Sequence, residues 1–204
     1  MDDSRKFLIV GLGNAEDKYA GTRHNIGFEV VNALALKLDT KFDIGRHAYV
    51  AHAKYKGRAL TLILPTTYMN LSGKAVKYWM TLEKIEPESI MVVSDDLDLP
   101  VGQLKMKPKG GGGSHNGLGH IIEVLGHQNF PRLRVGIGKN FPQGYQVDYV
   151  LGKFFPEERP LIDAAIGHAV NGLLAFVTMG IEKAMNETNR SNPCPREAQS
   201  QVLS

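Results

Sequence analysis

Short, unbroken apolar runs alternate along this chain with stretches whose apolar residues recur every three or four positions. Phe7-Leu8-Ile9-Val10 is such a run, stopped by Gly11, and it predicts a buried strand that empties into a loop. From Ile26 to Leu38 the apolar residues Phe28, Val31, Leu34, Ala35 and Leu38 keep helical spacing. Residues 48–55 and 59–64 read as strands joined by Lys56-Gly57-Arg58, a hairpin that Pro65 ends. Ser72 is placed to cap a helix reaching about Leu82. Ile90-Met91-Val92-Val93 is a second buried run, and it opens into Ser94-Asp95-Asp96-Leu97-Asp98. Leu104 to Lys107 and Arg134 to Ile137 are further strand candidates, with a helix from about Leu118 to Leu125 between them. Between Pro160 and Lys183, Ile162, Ile166, Ala169, Val170, Leu173, Val177 and Ile181 form one stripe, which predicts a single long amphipathic helix.

Strands and helices interleave with one hairpin among them. That pattern predicts a single three-layer α/β domain with a mixed, largely parallel twisted sheet flanked by helices. No repeat or long linker divides it. We expect one domain over residues 1–186 and a mobile polar tail over 187–204. Ligands in such sheets bind beyond the strand ends, so the segments after Val10, Leu64 and Val93 are where chemistry should gather.

Composition narrows the class without naming a partner. Lys plus Arg number 24 against 21 Asp plus Glu, a net charge of +3, so any basic surface must be local. One cysteine excludes a disulfide framework and a multi-cysteine metal site, and it fits a reducing compartment. The N-terminus has acids where a signal peptide has bases, and no run approaches the roughly 18 apolar residues of a membrane span. The expectation is a cytoplasmic protein that does not engage a membrane.

Several motifs compete for a reading. Gly11-Leu12-Gly13 suggests a dinucleotide fingerprint, but the third glycine of that pattern would fall on Glu16, where an acid would meet the pyrophosphate. The glycines suit a tight turn that projects Asn14. Gly110 to Gly113 leads into Ser114-His115-Asn116, which excludes a Walker A loop and leaves a flexible loop or a close backbone approach to a ligand. His24, within Thr22-Arg23-His24-Asn25, stands directly before a helix and is either a helix-end residue or a base. Asp95, Asp96 and Asp98 could orient a histidine, hold a cation, or simply form a turn. Lys105, Lys107 and Lys109 alternate, as do Arg132 and Arg134, giving either a phosphate-tracking face or a solvated strand edge. Asn14, Asn70 and Asn116 each follow a strand or glycine-rich loop, suited to holding carbonyls and hydroxyls or to shaping turns.

The blocks Val10 to Asn14, Tyr19, Thr22 to Gly27, Pro65 to Gly73, Asp95 to Pro100 and His115-Asn116-Gly117 occur in an order and spacing that resemble bacterial peptidyl-tRNA hydrolase, from Phe7 to about Asn189. The resemblance implies hydrolysis of the ester between peptide and tRNA, by a monomer with no metal and no cofactor. It makes His24 the general base, Asp95 its orienting acid, and Asn14 the residue that distinguishes N-blocked from free aminoacyl groups. It assigns Tyr19, Tyr68, Asn70 and Asn116 to the substrate and Lys107 and Arg134 to the tRNA; we add Met69, within the Pro65 to Gly73 block, to the former and Lys105, on the same lysine face, to the latter. The chain departs from the family at Ala15-Glu16, commonly Pro-Gly, and at Ser114, commonly Gly. A plant organellar splicing factor is similar to the same family and uses the scaffold for RNA–protein docking. A metal-dependent phosphoesterase built on Asp95, Asp96 and Asp98 is the third alternative.

Overall fold

A computed structural model describes residues 5–190. In chain order the regular elements are β1 (Lys6–Gly11), α1 (Ile26–Lys37), β2 (Asp43–Ile44), β3 (Ala48–Tyr55), β4 (Arg58–Pro65), α2 (Ser72–Glu83), β5 (Ile90–Asp96), β6 (Leu104–Lys107), α3 (Asn116–Leu125), β7 (Arg132–Gly136), α4 (Gln146–Val150), α5 (Arg159–Met179) and α6 (Ile181–Arg190). The strands form one sheet in the order β2-β3-β4-β1-β5-β7-β6. The pairs β1–β4, β1–β5 and β5–β7 are parallel, whereas the hairpin β3–β4 and both edges are antiparallel. The three-layer α/β architecture expected from the sequence is therefore present.

Alternation along the strands builds a core on each face of the sheet. Phe7 and Ile9 of β1, Leu60 and Leu62 of β4 and Met91 and Val93 of β5 join Val31, Leu34, Ala169 and Leu173 of α1 and α5. Leu8, Val10, Ile63, Ile90 and Val92 point the other way, against Val76 and Trp79 of α2 and Leu118 and Ile121 of α3. The central strands are buried on both faces, which is why they read as unbroken apolar runs.

Three expectations need correction. The long helix is two helices: Gly180, at φ 87°, breaks it, and α6 turns back over β6. The polar tail begins later than residue 187, because α6 runs to Arg190. Thr188 is buried against Gly172, and Asn189 completes the edge strand like a paired neighbour: its Oδ1 accepts from Met106 N at 2.8 Å and its Nδ2 donates to Met106 O at 3.0 Å. Residues 191–204, including Cys194 and the two prolines beside it, lie outside the described residues. Finally, α5 is long and apolar enough to cross a membrane, with 21 residues and mean hydropathy 1.5. Half of its most apolar stretch is buried inside the protein, where α5 packs against α1.

Ending the chain after Arg190 should leave Tm unchanged. Ending it after Asn186 removes Thr188 and both Asn189–β6 bonds, each hydrogen bond worth ~0.5–1.5 kcal/mol, and should lower Tm by several degrees. Thermal unfolding of both truncations checks the boundary; equal Tm values would place it earlier.

Candidate functional site

The functional side chains gather where β1, β4 and β5 end. Close backbone approach makes this possible at one glycine in particular. A Cβ on Gly27 would lie 2.5 Å from Val93 O and 2.6 Å from Leu12 O. The first turn of α1 thus rests directly on the ends of β1 and β5. The 3₁₀ turn Arg23–Asn25 leads into α1, so His24 is carried over the carboxylate at the end of β5. Asn25 fixes the opposite loop from both sides: its Oδ1 accepts from Asn14 N at 2.8 Å and its Nδ2 donates to Asn14 O at 2.9 Å.

Asp95 is 5% exposed and lies between two imidazoles. His24 Nδ1 donates to its oxygens at 2.9 and 3.0 Å, and His115 Nε2 donates to Oδ1 at 2.9 Å. His115 is the N-cap of α3, and its Nδ1 accepts from Gly117 N at 3.1 Å and Leu118 N at 3.3 Å. With that lone pair engaged, Nε2 carries the proton given to Asp95. Burial alone would raise the Asp95 carboxyl, but attraction and hydrogen bonding to His115, then to His24, hold it well below the usual carboxylate range. In the neutral ring, the bond to Asp95 favours the tautomer with the His24 proton on Nδ1 and Nε2 as acceptor.

The cleft beside this trio is lined by Leu97, Gly112, Asn116, Arg134, Val147 and Val150, among others. A second depression, lined by Asn14, His47, Thr66, Thr67, Tyr68 and Lys74, opens on the Asn14 side. The acid cluster does not act as a unit. Asp96 accepts from Asp98 N at 2.8 Å and faces Arg134 at 3.5 Å, while the exposed Asp98 pairs with Lys139 at 3.2 Å. His24, Asp95 and His115 do offer ligand atoms within 4.8 Å of one another. The donor chemistry opposes a metal there, because His115 would have to surrender the Nε2 proton while its Nδ1 still serves the helix cap.

The remaining sequence-derived candidates divide by exposure. Tyr68 is 74% exposed at the rim of the second depression, and Asn70 and Asn116 are exposed at the starts of α2 and α3. Tyr19 is half-buried under the Lys18 ammonium, 4.9 Å from its ring centroid. Met69 is only 8% exposed and packs in the core, where its sulfur would lie 2.7 Å from a Cβ on Gly117; it supports the site from beneath. Ala15 and Glu16 cost the loop nothing, since Glu16 takes an extended backbone (φ −68°, ψ 135°) open to any residue.

Along the edge, Lys105 pairs with Arg134 and Lys107 with Arg132. Lys105 is exposed, and neighbouring Lys105, partial desolvation and Arg134 together lower the Lys107 ammonium's proton affinity. Arg132 is fully buried, so it fits neither the phosphate-tracking face nor the solvated strand edge that the alternation allowed. It donates to the carbonyls of Gly111, Gln128 and Phe130, and burial, then Arg134, lower it to about 10. Arg134 also donates to Gly111 O, at 2.8 Å, so two guanidiniums hold the glycine-rich loop that leads to His115. His115, Arg23, Asn25 and this use of Arg132 were not singled out by sequence reasoning. The signal for His115 was available in its position directly before Asn-Gly at a helix start.

Comparison with known proteins identifies the family. A family model described as peptidyl-tRNA hydrolase matches residues 8–196. The chain is 52% identical to the peptidyl-tRNA hydrolase of Cytophaga hutchinsonii, over 90% of this chain and 98% of that protein. It is 48% identical to that of Porphyromonas gingivalis, over 90% of this chain and all of the other. The crystal structure of peptidyl-tRNA hydrolase from Acinetobacter baumannii superposes with a TM-score of 0.88 at 38% identity, covering 94% of this chain and 98% of that one. A family model over most of the chain, with a relative of more than half identity across nearly its full length, shows that the chain belongs to the peptidyl-tRNA hydrolase family.

Proposed function

We infer that this protein hydrolyses the ester linking a peptide, or an N-blocked aminoacyl group, to the terminal ribose of tRNA, and so recycles prematurely released peptidyl-tRNA. The observation that carries the mechanism is the His24 Nδ1–Asp95 pair at 2.9 Å, with the ring's other nitrogen left as an acceptor. An ester to a ribose hydroxyl is already activated, so a positioned water and a base suffice. His24 Nε2 takes a proton from the water as its oxygen attacks the carbonyl carbon, and Asp95 stabilises the imidazolium that forms. Collapse of the tetrahedral species expels the ribose oxygen, and His24 returns the proton to it.

Asn14, Asn70 and Asn116 supply amides for the acyl carbonyls, with Tyr19 and Tyr68 flanking the acyl group. Asn14 is held by backbone bonds to Asn25, leaving its own amide free to test the acylated nitrogen. The exposed Lys105 and the strip's mutual repulsion fit a surface that accepts tRNA phosphates, which give affinity with little sequence discrimination. Arg134 adds to that field while holding the loop. The reading is of a monomeric cytoplasmic enzyme that needs no metal or cofactor.

Release of a labelled N-acetyl-aminoacyl group from tRNA tests this directly, and the rate should persist in chelator. His24→Asn should fold and bind tRNA but lose ~10²–10⁴-fold in kcat. Asp95→Asn should be milder, and the double variant little worse than His24→Asn. A fully active His24→Asn protein would end the mechanism. Lys105→Ala and Lys107→Ala should weaken binding of different elongator substrates alike. Each lost phosphate contact should reduce the slope of log affinity against log salt by roughly 0.7–0.9.

The depressed Asp95 carboxyl gives a pH signature. Its stabilisation is complete above the unfolded value of about 4 and is lost as pH falls further. His115→Asn keeps a capping side chain but removes the bond to Asp95. It should cost roughly 1.5–3 kcal/mol at pH 7, and the gap to the parent should narrow by about 1 kcal/mol between pH 5 and pH 3. Urea unfolding across that range checks it; a gap independent of pH would mean His115 acts only as a cap.

A further inference from the structure

Arg23 is the residue before the histidine base, yet its side chain turns away from the cleft. The side chain is 3% exposed. Its Nη1 donates to Tyr149 O at 3.1 Å and its Nη2 meets Glu158 Oε1 at 3.2 Å. The guanidinium lies 4.0 Å from the ring centroid of Tyr149, 4.9 Å from Phe155 and 5.7 Å from Phe154. The backbone joins the same partners: Arg23 N donates to Gly152 O at 2.9 Å, and Thr22 bridges Lys153. Glu158 closes the box by accepting from Phe155 N at 2.9 Å.

These contacts all land on the segment around α4. That helix has five residues, too few to stand without tertiary support. Its inner residue Tyr149 stacks on Arg23 and donates to Ile137 O at 2.6 Å, beyond the end of β7. Its outer residues Gln146, Val147 and Val150 line the cleft that also holds His24 and Asp95. Val147 is 66% exposed, an apolar side chain with no partner cover at the mouth of a hydrolytic site. One residue therefore ties the base, through the backbone, to the facing wall of the cleft, through its side chain.

We propose that Arg23 is a positioning residue for substrate binding: acting through Tyr149 and Glu158, it fixes α4 at the distance from His24 that lets the wall of Gln146, Val147 and Val150 close on the bound ester. This rests on the hydrolytic reading above for its kinetic arm only. A planar, permanently charged guanidinium suits the role, because it can stack on an aromatic face while donating at its edge, which an ammonium cannot do.

Arg23→Lys and Glu158→Gln separate this role from a general brace, and Glu158→Gln serves if the first fails to fold. Amide exchange over residues 146–152 should accelerate about tenfold, equivalent to 1.4 kcal/mol of local opening, and by more than exchange in β5 accelerates. In the same variants KM for N-acetyl-aminoacyl-tRNA should rise about tenfold, with kcat changed less than about threefold and an unaltered pH–rate profile. Combining either with Val147→Ala should give less than the product of the separate effects on kcat/KM, since both act on one wall. Unchanged exchange over 146–152 overturns the coupling, whether or not the parent hydrolyses peptidyl-tRNA. Faster exchange with unchanged KM in an active parent overturns the positioning role, and a shifted pH profile would show instead that Arg23 acts on His24 itself. A parent that fails to hydrolyse peptidyl-tRNA would refute the functional reading, and the exchange measurement would still decide whether Arg23 holds α4.

Discussion

A carboxylate buried at the end of a central strand is the constraint around which this protein is arranged. Asp95 cannot stay ionised at 5% exposure without donors, since an uncompensated buried charge costs several kcal/mol. Two imidazole N–H groups meet that need, and they come from different layers. His24 arrives with α1 from one side of the sheet, His115 with α3 from the other. Pairing the carboxylate therefore fixes the relation of both helices to β5. Gly27 is the steric condition for the first contact, because any side chain there would strike Val93 O or Leu12 O. The α3 cap is the electronic condition for the second, because it sets which nitrogen of His115 carries the proton. In its neutral form His24 then carries its one proton on Nδ1 and presents Nε2 as an open acceptor.

Much of this was legible in the sequence, for identifiable reasons. The apolar runs at 7–10 and 90–93 are visible because strands buried on both faces need every residue apolar. His24 and Asp95 could be singled out because each follows or precedes an element boundary where chemistry collects. What escaped was set by tertiary contact. Strand β2 is two exposed residues and α4 only five, so neither carries a measurable period. The break at Gly180 is hidden because the apolar stripe runs on to Ile181. Asn189 reads as a polar tail residue until β6 is seen to present Met106 N and O to it.

The cations show most plainly how burial decides what a charge does. Lysines and arginines alternate along β6 and β7, and one face of a strand pair looks the same from sequence whatever lies above it. In the fold the strip is graded. Arg132 lies beneath the glycine-rich loop and spends its donors on three carbonyls, Arg134 shares Gly111 O with it, and Lys105 reaches solvent. The arginines are the inner members because a guanidinium offers five fixed donors to backbone acceptors; the lysines are the outer ones because a compact, strongly hydrated ammonium is costly to bury. The same residue types thus hold the loop of His115 and Asn116 from below and leave positive charge at the surface beside it.

That grading explains why the edge strand must be closed in a particular way. An exposed edge that carries positive side chains still presents free backbone groups, which invite pairing with another strand. A further strand added there would compete with the strip for the same space. Asn189 answers Met106 at that edge with one side chain, whose amide matches Met106 N and O in the two-bond pattern of a ladder residue. The Met106 backbone of β6 is thereby answered from the α6 side while Lys105 remains exposed beside it. Helix α6 can reach this position only because Gly180 releases it from α5, and its close crossing with α5 depends on Gly172, where a Cβ would fall 2.6 Å from Thr188 Oγ1. The last described helix therefore serves the charged face at one remove: it ends the sheet without covering it.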